Sequence, residues 1–465
     1  MPILDNLLPR SAQKSTNGTP ANQPITLVVI GCGQRGKNYA VYPANEPEKC
    51  KIVAIAEPRP KTRQTFAAAH RVDGTLVFND WKELHAASAE TIKTVGKRLA
   101  DAVLVCVQDH MHMEVVHAFA AQGYNILCEK PMATSLSDCI KIEEAVRKAN
   151  IIFGMGHVLR YSPYNQAITE IIQSGSLGEL INAVQVEPVG YSHFAHSYVR
   201  GNWYKESSSS FALMTKCCHD IDILCHWLSP AEPSRVSSFG NLQHFRKSAK
   251  PAAAGDATRC LECPMEKDCA YSAKKIYLDP VTRGNTRWPV STIIDGVPDI
   301  ENVTDALQKG PYGECVYESA NDVCDHQVVN LEYSNGSTVS FTMVAFTEAQ
   351  CDRQIRLHFA NGEIIGDMHT FTVTDFRTRR TTTHRPKLEG GGHGGGDLGL
   401  ITAFVEAVRT GDQSVLGTDI EEVLKSHLTV FAAEKARKEG IVVDCVAFEK
   451  EAREQYGSKV DSSSP

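Results

Sequence analysis

Apolar residues recur along this chain in two rhythms. Between residues 25 and 155, short continuous apolar runs alternate with longer stretches of helical period. The runs fall at 25–30, 51–56, 76–78, 102–107, 124–127 and 151–155. The first is β-branched and apolar and ends on a glycine, the pattern of a strand buried on both faces. Helical stretches are predicted at 81–99, 114–122 and 138–148. Strands and helices alternating at this spacing specify a doubly wound parallel sheet with right-handed crossovers.

Beyond residue 155 the rhythm changes. An amphipathic helix is predicted over 163–174, closed by Gly175. Strand-like runs follow at 183–189, 236–239, 328–333, 338–346, 355–360, 363–367 and 371–376. Asn335-Gly336 and Asn361-Gly362 are hairpin signals between such runs. Residues 398–409 and 420–438 read as helices. The fold class expected is therefore α/β: an N-terminal Rossmann domain over 25–155, then an α+β domain over 156–445 with a largely antiparallel open sheet. Residues 1–24 read as a disordered arm, with Ile3, Leu4, Leu7 and Leu8 available to dock on a partner subunit. Residues 446–465 read as a tail, disordered from about Ser458.

Composition narrows the function classes. At 465 residues, a prior of roughly 150 residues per domain gives two or three domains. The net charge is −7 and no basic block stands out, which argues against nucleic acid as a partner. No apolar run reaches membrane-spanning length and no hydrophobic signal core opens the chain, so a cytoplasmic protein without a membrane partner is expected. The fifteen cysteines are an odd number. Cys32, Cys106 and Cys128 lie in or beside the predicted strands, as reduced thiols do.

Two motifs carry chemistry in the first domain. The first strand runs into Gly31-Cys32-Gly33-Gln34-Arg35-Gly36, a G-x-G-x-x-G at a strand-to-helix turn. The first glycine permits the turn, the second lets backbone approach a pyrophosphate, and the third allows close helix–strand packing. The second strand ends in Glu57, at the spacing of a carboxylate that grips a ribose 2′-hydroxyl. Glu57 favours NAD, while Arg59 and Lys61 keep NADP open, since cations accommodate a 2′-phosphate. The second motif is Cys128-Glu129-Lys130-Pro131, at the carboxyl end of the fifth strand, where ligands of open parallel sheets bind. Pro131 disfavours helical geometry at Lys130.

With these motifs in order, residues 25–445 resemble the Gfo/Idh/MocA oxidoreductases. Glu129-Lys130-Pro131 is the most specific element of the resemblance. Next is Lys216-Cys217-Cys218-His219-Asp220-Ile221-Asp222, which is similar to the family's histidine-containing helix. Arg160-Tyr161 also matches a recurring feature. In the family the motif lysine and this histidine flank the reacting carbinol and the nicotinamide, which makes Lys130 and His219 the expected catalytic residues. The cofactor contacts then expected are Gly31, Gly33, Gln34, Arg35, Gly36, Glu57, Arg59, Asp109, His112 and Glu129. Family members often carry an aspartate four residues before the histidine; Thr215 stands there, with Lys216 beside it. Either can replace the aspartate in orienting substrate hydroxyls. The resemblance also implies a homodimer or homotetramer formed through the second sheet.

Oxidising a secondary alcohol needs a base for the hydroxyl proton and a cation for the developing alkoxide. His219, with an ordinary pKa near neutrality, suits the base. Lys130 suits the alkoxide or the proton relay. Thr215, His219 and Asp222 share one helix face, although Asp222 can equally serve the fold. Residues 191–204 are dense in aromatic and polar groups. Tyr191, Arg200 and Trp203 there, with Arg160, suit a polyhydroxylated ring, or else a surface loop or subunit contact. The glycine-rich stretch 390–397 brings His393 and Asp397 toward substrate, or Asp397 to a helix cap. Asp325-His326-Gln327 reads as structural.

Cys260-x2-Cys263-x5-Cys269 stands in a polar insertion. Its spacing is compatible with zinc, or with an iron–sulfur centre, if Cys315 supplies a fourth ligand. The alternative is a disulfide or free thiols. The function expected is a cytosolic NAD(P)-dependent dehydrogenase of a sugar, sugar derivative or cyclitol. A redox-neutral glycoside-cleaving enzyme that retains NAD, and a non-catalytic dinucleotide sensor, are the alternatives.

Overall fold

The computed structural model describes residues 23–387 and 392–457. The arm expected at the N-terminus lies outside them through residue 22, as do Gly390, Gly391 and the tail from Ser458. Among the described residues no helix is long and apolar enough to cross a membrane.

The first layer is built from β1 (Ile25–Ile30), α1 (Gln34–Asn45), β2 (Cys50–Ala56), α2 (Pro60–Ala69), β3 (Val77–Phe78), α3 (Trp81–Val95), β4 (Ala102–Val105), α4 (His112–Ala121), β5 (Asn125–Cys128), α5 (Leu136–Ala149) and β6 (Phe153–Met155). Its six strands run in parallel in the order β3-β2-β1-β4-β5-β6. The order reverses between β1 and β4, the switch point at which open α/β sheets bind ligands. All of β1 except Thr26 is buried, and each such aliphatic side chain stabilises the layer by about 1.5–3 kcal/mol. α3 stops at Val95, short of the 99 predicted, because Gly96 takes the left-handed cap.

The second layer continues through α6 (Pro163–Gln173), β7 (Leu180–Pro188), α7 (Tyr191–Phe194), a π-turn over Ala195–Arg200, α8 (Ala212–Leu228) and β8 (Pro233–Asn241). An insertion follows, whose short elements include α9 (Asp279–Thr282) and α10 (Ile300–Lys309). Then come β9 (His326–Tyr333), β10 (Thr338–Val344), β11 (Gln354–Phe359), β12 (Gly362–Gly366), β13 (Phe371–Asp375) and β14 (Arg380–His384). The chain closes with α11 (Gly396–Thr410), α12 (Ile420–Glu439), β15 (Val443–Asp444) and α13 (Cys445–Tyr456).

The nine-stranded sheet runs β14-β13-β12-β11-β7-β10-β9-β8-β15. It is antiparallel as expected, except that β7 and β10 pair in parallel at its centre. β14 escapes sequence reading because Arg380-Thr-Thr-Thr-His384 has no apolar alternation. α8 and α12 pack against each other, and α12 lies on β8. The chain does not stay in the second layer after the sheet. α11 returns to the first, where Leu400, Ile401 and Phe404 share a core with Ile25, Leu27 and Val29. The stretch expected as a tail from 446 is instead helical through Tyr456 and packs on α5, α12 and β8.

Candidate active site

The glycine turn has the shape a dinucleotide needs. A Cβ on Gly31, at φ +91°, would lie 2.3 Å from the Cys106 carbonyl oxygen, and one on Gly36 would lie 2.2 Å from the Gly31 oxygen. Both positions are closed by backbone. A Cβ on Gly33 would meet only the Arg59 guanidinium tip, at 3.3 Å, so this space can be vacated for a pyrophosphate. α1 has no side-chain cap and no acid in its first turn, which leaves its amides free for phosphate. Glu57 is buried and accepts from the Cys32 amide at 2.8 Å and from Arg59 Nε at 2.8 Å. Burial raises the Glu57 carboxyl, but the bonds from Arg59 and Cys32 outweigh it and hold it below the ordinary carboxylate range. An ionised acceptor at the end of β2 fits a ribose diol, so these residues fit the dinucleotide.

Gln34 sits exposed on the first turn of α1 and donates to Asn38. Arg35, expected to meet the cofactor, is committed to protein. Its Nε lies 2.7 Å from Glu129 Oε1, and its two terminal nitrogens each lie 2.9 Å from an Asp397 oxygen. Tyr39 also donates to Glu129. Burial raises the Glu129 carboxyl, and Arg35 and Tyr39 more than reverse that. Glu129 thereby ties the end of β5 to α1, and Arg35 carries the tie on to α11.

Lys130 follows at the end of β5, its peptide to Pro131 cis. A Cβ on Gly156 would lie 2.8 Å from the Lys130 amide nitrogen, so β6 packs flush against the motif. His112 Nδ1 is 2.7 Å from the Pro131 oxygen, and this buried ring buttresses the turn. Asp109 accepts from Trp203 Nε1 at 2.7 Å and from Ser209 Oγ at 3.1 Å, which ties the β4–α4 loop to the second domain. Lys130 Nζ donates to the Thr215 carbonyl oxygen at 2.6 Å. That contact brings the motif lysine to α8, one helical turn from His219.

α8 is buried along most of its length, and its polar residues meet a platform on the second sheet. Arg353, just before β11, reaches Asp220 Oδ1 at 2.9 Å and Glu187 Oε2 at 2.7 Å. It also lies 2.7 Å from His219 Nε2. Lys216 Nζ lies 3.2 Å from Glu187 Oε1 and 2.9 Å from Cys351 Sγ, and that sulfur is 3.4 Å from His193 Nδ1. Burial, then the charges of Arg353, Lys130, His393 and Lys216, push His219 well below its ordinary range. The expectation that His219 titrates near neutrality is therefore corrected. An arginine donates and never accepts, so Nε2 is the lone-pair nitrogen and the neutral ring carries its proton on Nδ1. Among the described residues Nδ1 has no hydrogen-bond partner.

His393 stands beside this ring, centroids 5.7 Å apart and edge to face. Its Nδ1 is 3.0 Å from Asp397 Oδ1, so Nδ1–H donates to the carboxylate and Nε2 keeps its lone pair. Asp397 does not cap α11 with its side chain.

Other expected substrate contacts are spent elsewhere. Arg160 and Asp222 form a buried two-bond pair at 2.6 and 2.8 Å, with His157 3.0 Å from the same carboxylate. Arg200 bonds the carbonyls of Glu314 and Tyr271. The Thr215 hydroxyl turns back onto its own helix, and only its carbonyl meets Lys130. Tyr191 is half-exposed and edges onto Tyr271. Arg353 and Glu187 went unseen in the sequence, and Asp220 stood in the histidine motif without a role. The available signal was an acid in an inward position of β7 and another within α8, both of which demand a buried cation.

The cysteines of the insertion are all free. Cys260, Cys263, Cys269 and Cys315 line one cavity. Zinc does not fit them. Tetrahedral Zn–S bonds of about 2.3 Å hold the sulfurs about 3.8 Å apart, and no three of these thiols lie within 4.8 Å of one another. The one tight triad among the described residues is His157, Cys218 and His427. There His427 already accepts from the Met132 amide and faces the Val423 carbonyl, so it holds no ligand nitrogen free.

Comparison with known proteins covers both domains. A family model described as the oxidoreductase family, NAD-binding Rossmann fold, matches residues 25–157, and that family's C-terminal alpha/beta domain matches residues 169–444. The chain is 24% identical over 230 residues to inositol 2-dehydrogenase 1 of Saccharopolyspora erythraea, covering 49% of this chain and 60% of that protein. It is 24% identical over 220 residues to the 2,7-anhydro-N-acetylneuraminate hydratase of Escherichia coli, covering 47% and 54%. The chain thus spans little more than half the length of these relatives. Its fold is similar to that of a levoglucosan dehydrogenase in complex with NADH and levoglucosan, with a TM-score of 0.66 at 17% identity over 91% of this chain and 100% of the other.

Proposed function

The chain belongs to the Gfo/Idh/MocA oxidoreductase family, and from that premise we propose that it transfers a hydride between NAD(H) and a secondary hydroxyl of a sugar, sugar derivative or cyclitol. The observation that carries the reading is the 2.6 Å contact of Lys130 Nζ with the Thr215 carbonyl. It sets a cation at the carboxyl edge of the first sheet against the helix that bears His219. Glu57, ionised and aimed at the glycine turn, favours NAD over NADP.

Bound in the cradle, the nicotinamide supplies the hydride acceptor or donor. Lys130 stabilises the developing alkoxide oxygen. His219, neutral, donates its Nδ1 proton in a hydrogen bond to a substrate oxygen and orients the carbinol. His393, held by Asp397, accepts the hydroxyl proton at Nε2 and hands it to solvent through its exposed edge. Arg353, Glu187 and Asp220 fix His219, and Arg35 and Glu129 fix the lysine's strand. Trp203 offers aromatic surface to a sugar ring. The open face of the second sheet, where Ile181 and Phe239 are exposed, is the contact for a second copy.

A screen of sugars and inositols with NAD and NADP, read by thermal shift and by reduced-nicotinamide absorbance, tests the reading. Turnover of at least one polyol with stoichiometric NADH supports it. The hydratase relative favours a second reading, in which oxidation and re-reduction occur within one turnover. Product formed from an anhydro sugar or glycoside without net NADH would replace the dehydrogenase with that chemistry. Failure of every polyol to react or to stabilise the NAD-loaded protein would remove both.

A further inference from the structure

The insertion between β8 and β9 is poor in regular structure for its length. Among its described elements only α10 exceeds five residues. Yet it is packed into the second core through Phe245, Ile276, Tyr277, Val290, Val303 and Leu307. It also reaches back to the cofactor domain, where Asp295 accepts from the Thr62 amide at 2.9 Å and its hydroxyl at 2.8 Å. A loop-rich segment held in one conformation needs a staple, and no disulfide supplies it.

We infer that Cys260, Cys263, Cys269 and Cys315 ligate a [4Fe–4S] cluster that staples this insertion. The four thiols come from three separated segments and line one cavity with Arg200, Met265 and Tyr317. Cys263 and Cys269 each close a short 3-10 turn with the same backbone, φ −78° and ψ 126°. The sulfurs are too widely spaced for one tetrahedral ion. In a cubane each cysteine binds a different iron at a different corner, so no three sulfurs have to close on a single ion.

Charge gives an independent reason. Arg200 is 3% exposed. Its Nη2 donates to Cys260 Sγ at 3.3 Å and to the Tyr271 carbonyl, and its Nε donates to the Glu314 carbonyl. None of these partners is a carboxylate, and among the described residues Nη1 has no hydrogen-bond partner. A buried guanidinium without a counter-ion is costly. The one carboxylate on the cavity wall, Glu266, is engaged by Ser272 and lies 3.5 Å from Lys274. A cluster held by four thiolates carries net negative charge and supplies the missing partner. Its N–H···S bond from Arg200 is of the kind that stabilises such clusters.

The cluster's place makes it a structural centre. Arg200 ends the π-turn that follows Tyr191 and His193, and Trp203, three residues on, bonds Asp109. Loss of the cluster loosens the wall of the candidate site and the Asp295 contact with α2 together.

The test is metal analysis of the full chain purified without oxygen, with and without reconstitution by ferrous iron and sulfide. About four irons and four acid-labile sulfides per chain, broad visible absorption, and an electron paramagnetic resonance signal on dithionite reduction are expected. Cys263→Ser and Cys269→Ser should each lose at least half of the iron and sulfide. Stoichiometric zinc without sulfide overturns the proposal, as does metal-free protein after reconstitution. Because the unsubstituted chain is measured first, a variant that fails to fold does not blunt the test.

Discussion

The Arg353 guanidinium and the His219 imidazole meet at 2.7 Å inside the protein, and that contact limits the pH dependence His219 can show. Burial and then the Arg353 charge keep the ring neutral. In the unsubstituted protein the His219 resonance should stay fixed from about pH 5 to 8, where an ordinary histidine titrates. Arg353→Gln removes a cation, so the His219 pKa rises and the resonance begins to move at the acidic end. Labelled-histidine NMR reads this directly. An unchanged His219 titration in the variant would show that burial alone sets it.

Lys130→Ala keeps the turn and removes the cation. Loss of an alkoxide-stabilising group should lower kcat by about 10²- to 10⁴-fold. The dinucleotide cradle is built from β1, α1 and β2, so NAD affinity should change less than about threefold, well under 1 kcal/mol. Nicotinamide fluorescence titration beside single-turnover kinetics separates the two. Full activity in the variant would sink the proposed mechanism.

Glu57 is the buried carboxylate at the end of β2, with Arg59 bonded against it. Glu57→Ser removes the repulsion against a 2′-phosphate and frees Arg59 to meet one. The ratio of NAD to NADP dissociation constants should fall in favour of NADP by about tenfold, or 1.4 kcal/mol. If the unsubstituted protein already binds NADP more tightly, the role given to Glu57 is wrong.

Stability should fall in acid. Burial pushes His196 and His427 down to about 3, against roughly 6.5 unfolded. Their folded pKa values are depressed, so below the unfolded value the unfolded chain binds more protons. Their contribution is intact above about pH 6.5 and is lost progressively as pH falls toward 3. Two such groups give a slope of about 3 kcal/mol per pH unit in the middle of that window. Urea unfolding at pH 7, 6 and 5 measures it. His427→Gln should flatten the slope by about half.

The first layer could be read closely because its strands are buried on both faces and its turns use glycine and proline. A continuous apolar run ending in Gly31 or in Glu129-Lys130-Pro131 leaves little choice of structure. The second layer was legible as strands but not as pairings: the parallel contact of β7 with β10 depends on packing that no local pattern records. Site residues divide in the same way. Lys130 and His219 were visible by motif, whereas Arg353 was not, since a lone arginine before β11 acquires meaning only when Glu187 and Asp220 are seen facing it. Arg160 and Asp222 looked like substrate contacts because charge in a sequence does not say whether its partner is a ligand or another side chain.

In the sequence His393 and Asp397 offer reach toward substrate or, for Asp397, a helix cap, and their 3.0 Å contact gives them a division of labour. Burial lowers the His393 pKa, and Asp397 opposes that by bonding the ring and favouring its charged form. If His393 accepts the substrate proton, the acidic limb of kcat/KM reports its ionisation. Asp397→Asn withdraws the opposing charge, so that limb should move to lower pH while kcat falls by about 10²-fold through lost orientation of the ring. His393→Gln should abolish the limb altogether, with a similar fall in kcat. Arg35 loses its bidentate partner in Asp397→Asn but not in His393→Gln, so a limb that shifts in the first and vanishes in the second belongs to the histidine and not to a disturbed α1. A limb that persists unchanged in His393→Gln would return the proton to Lys130.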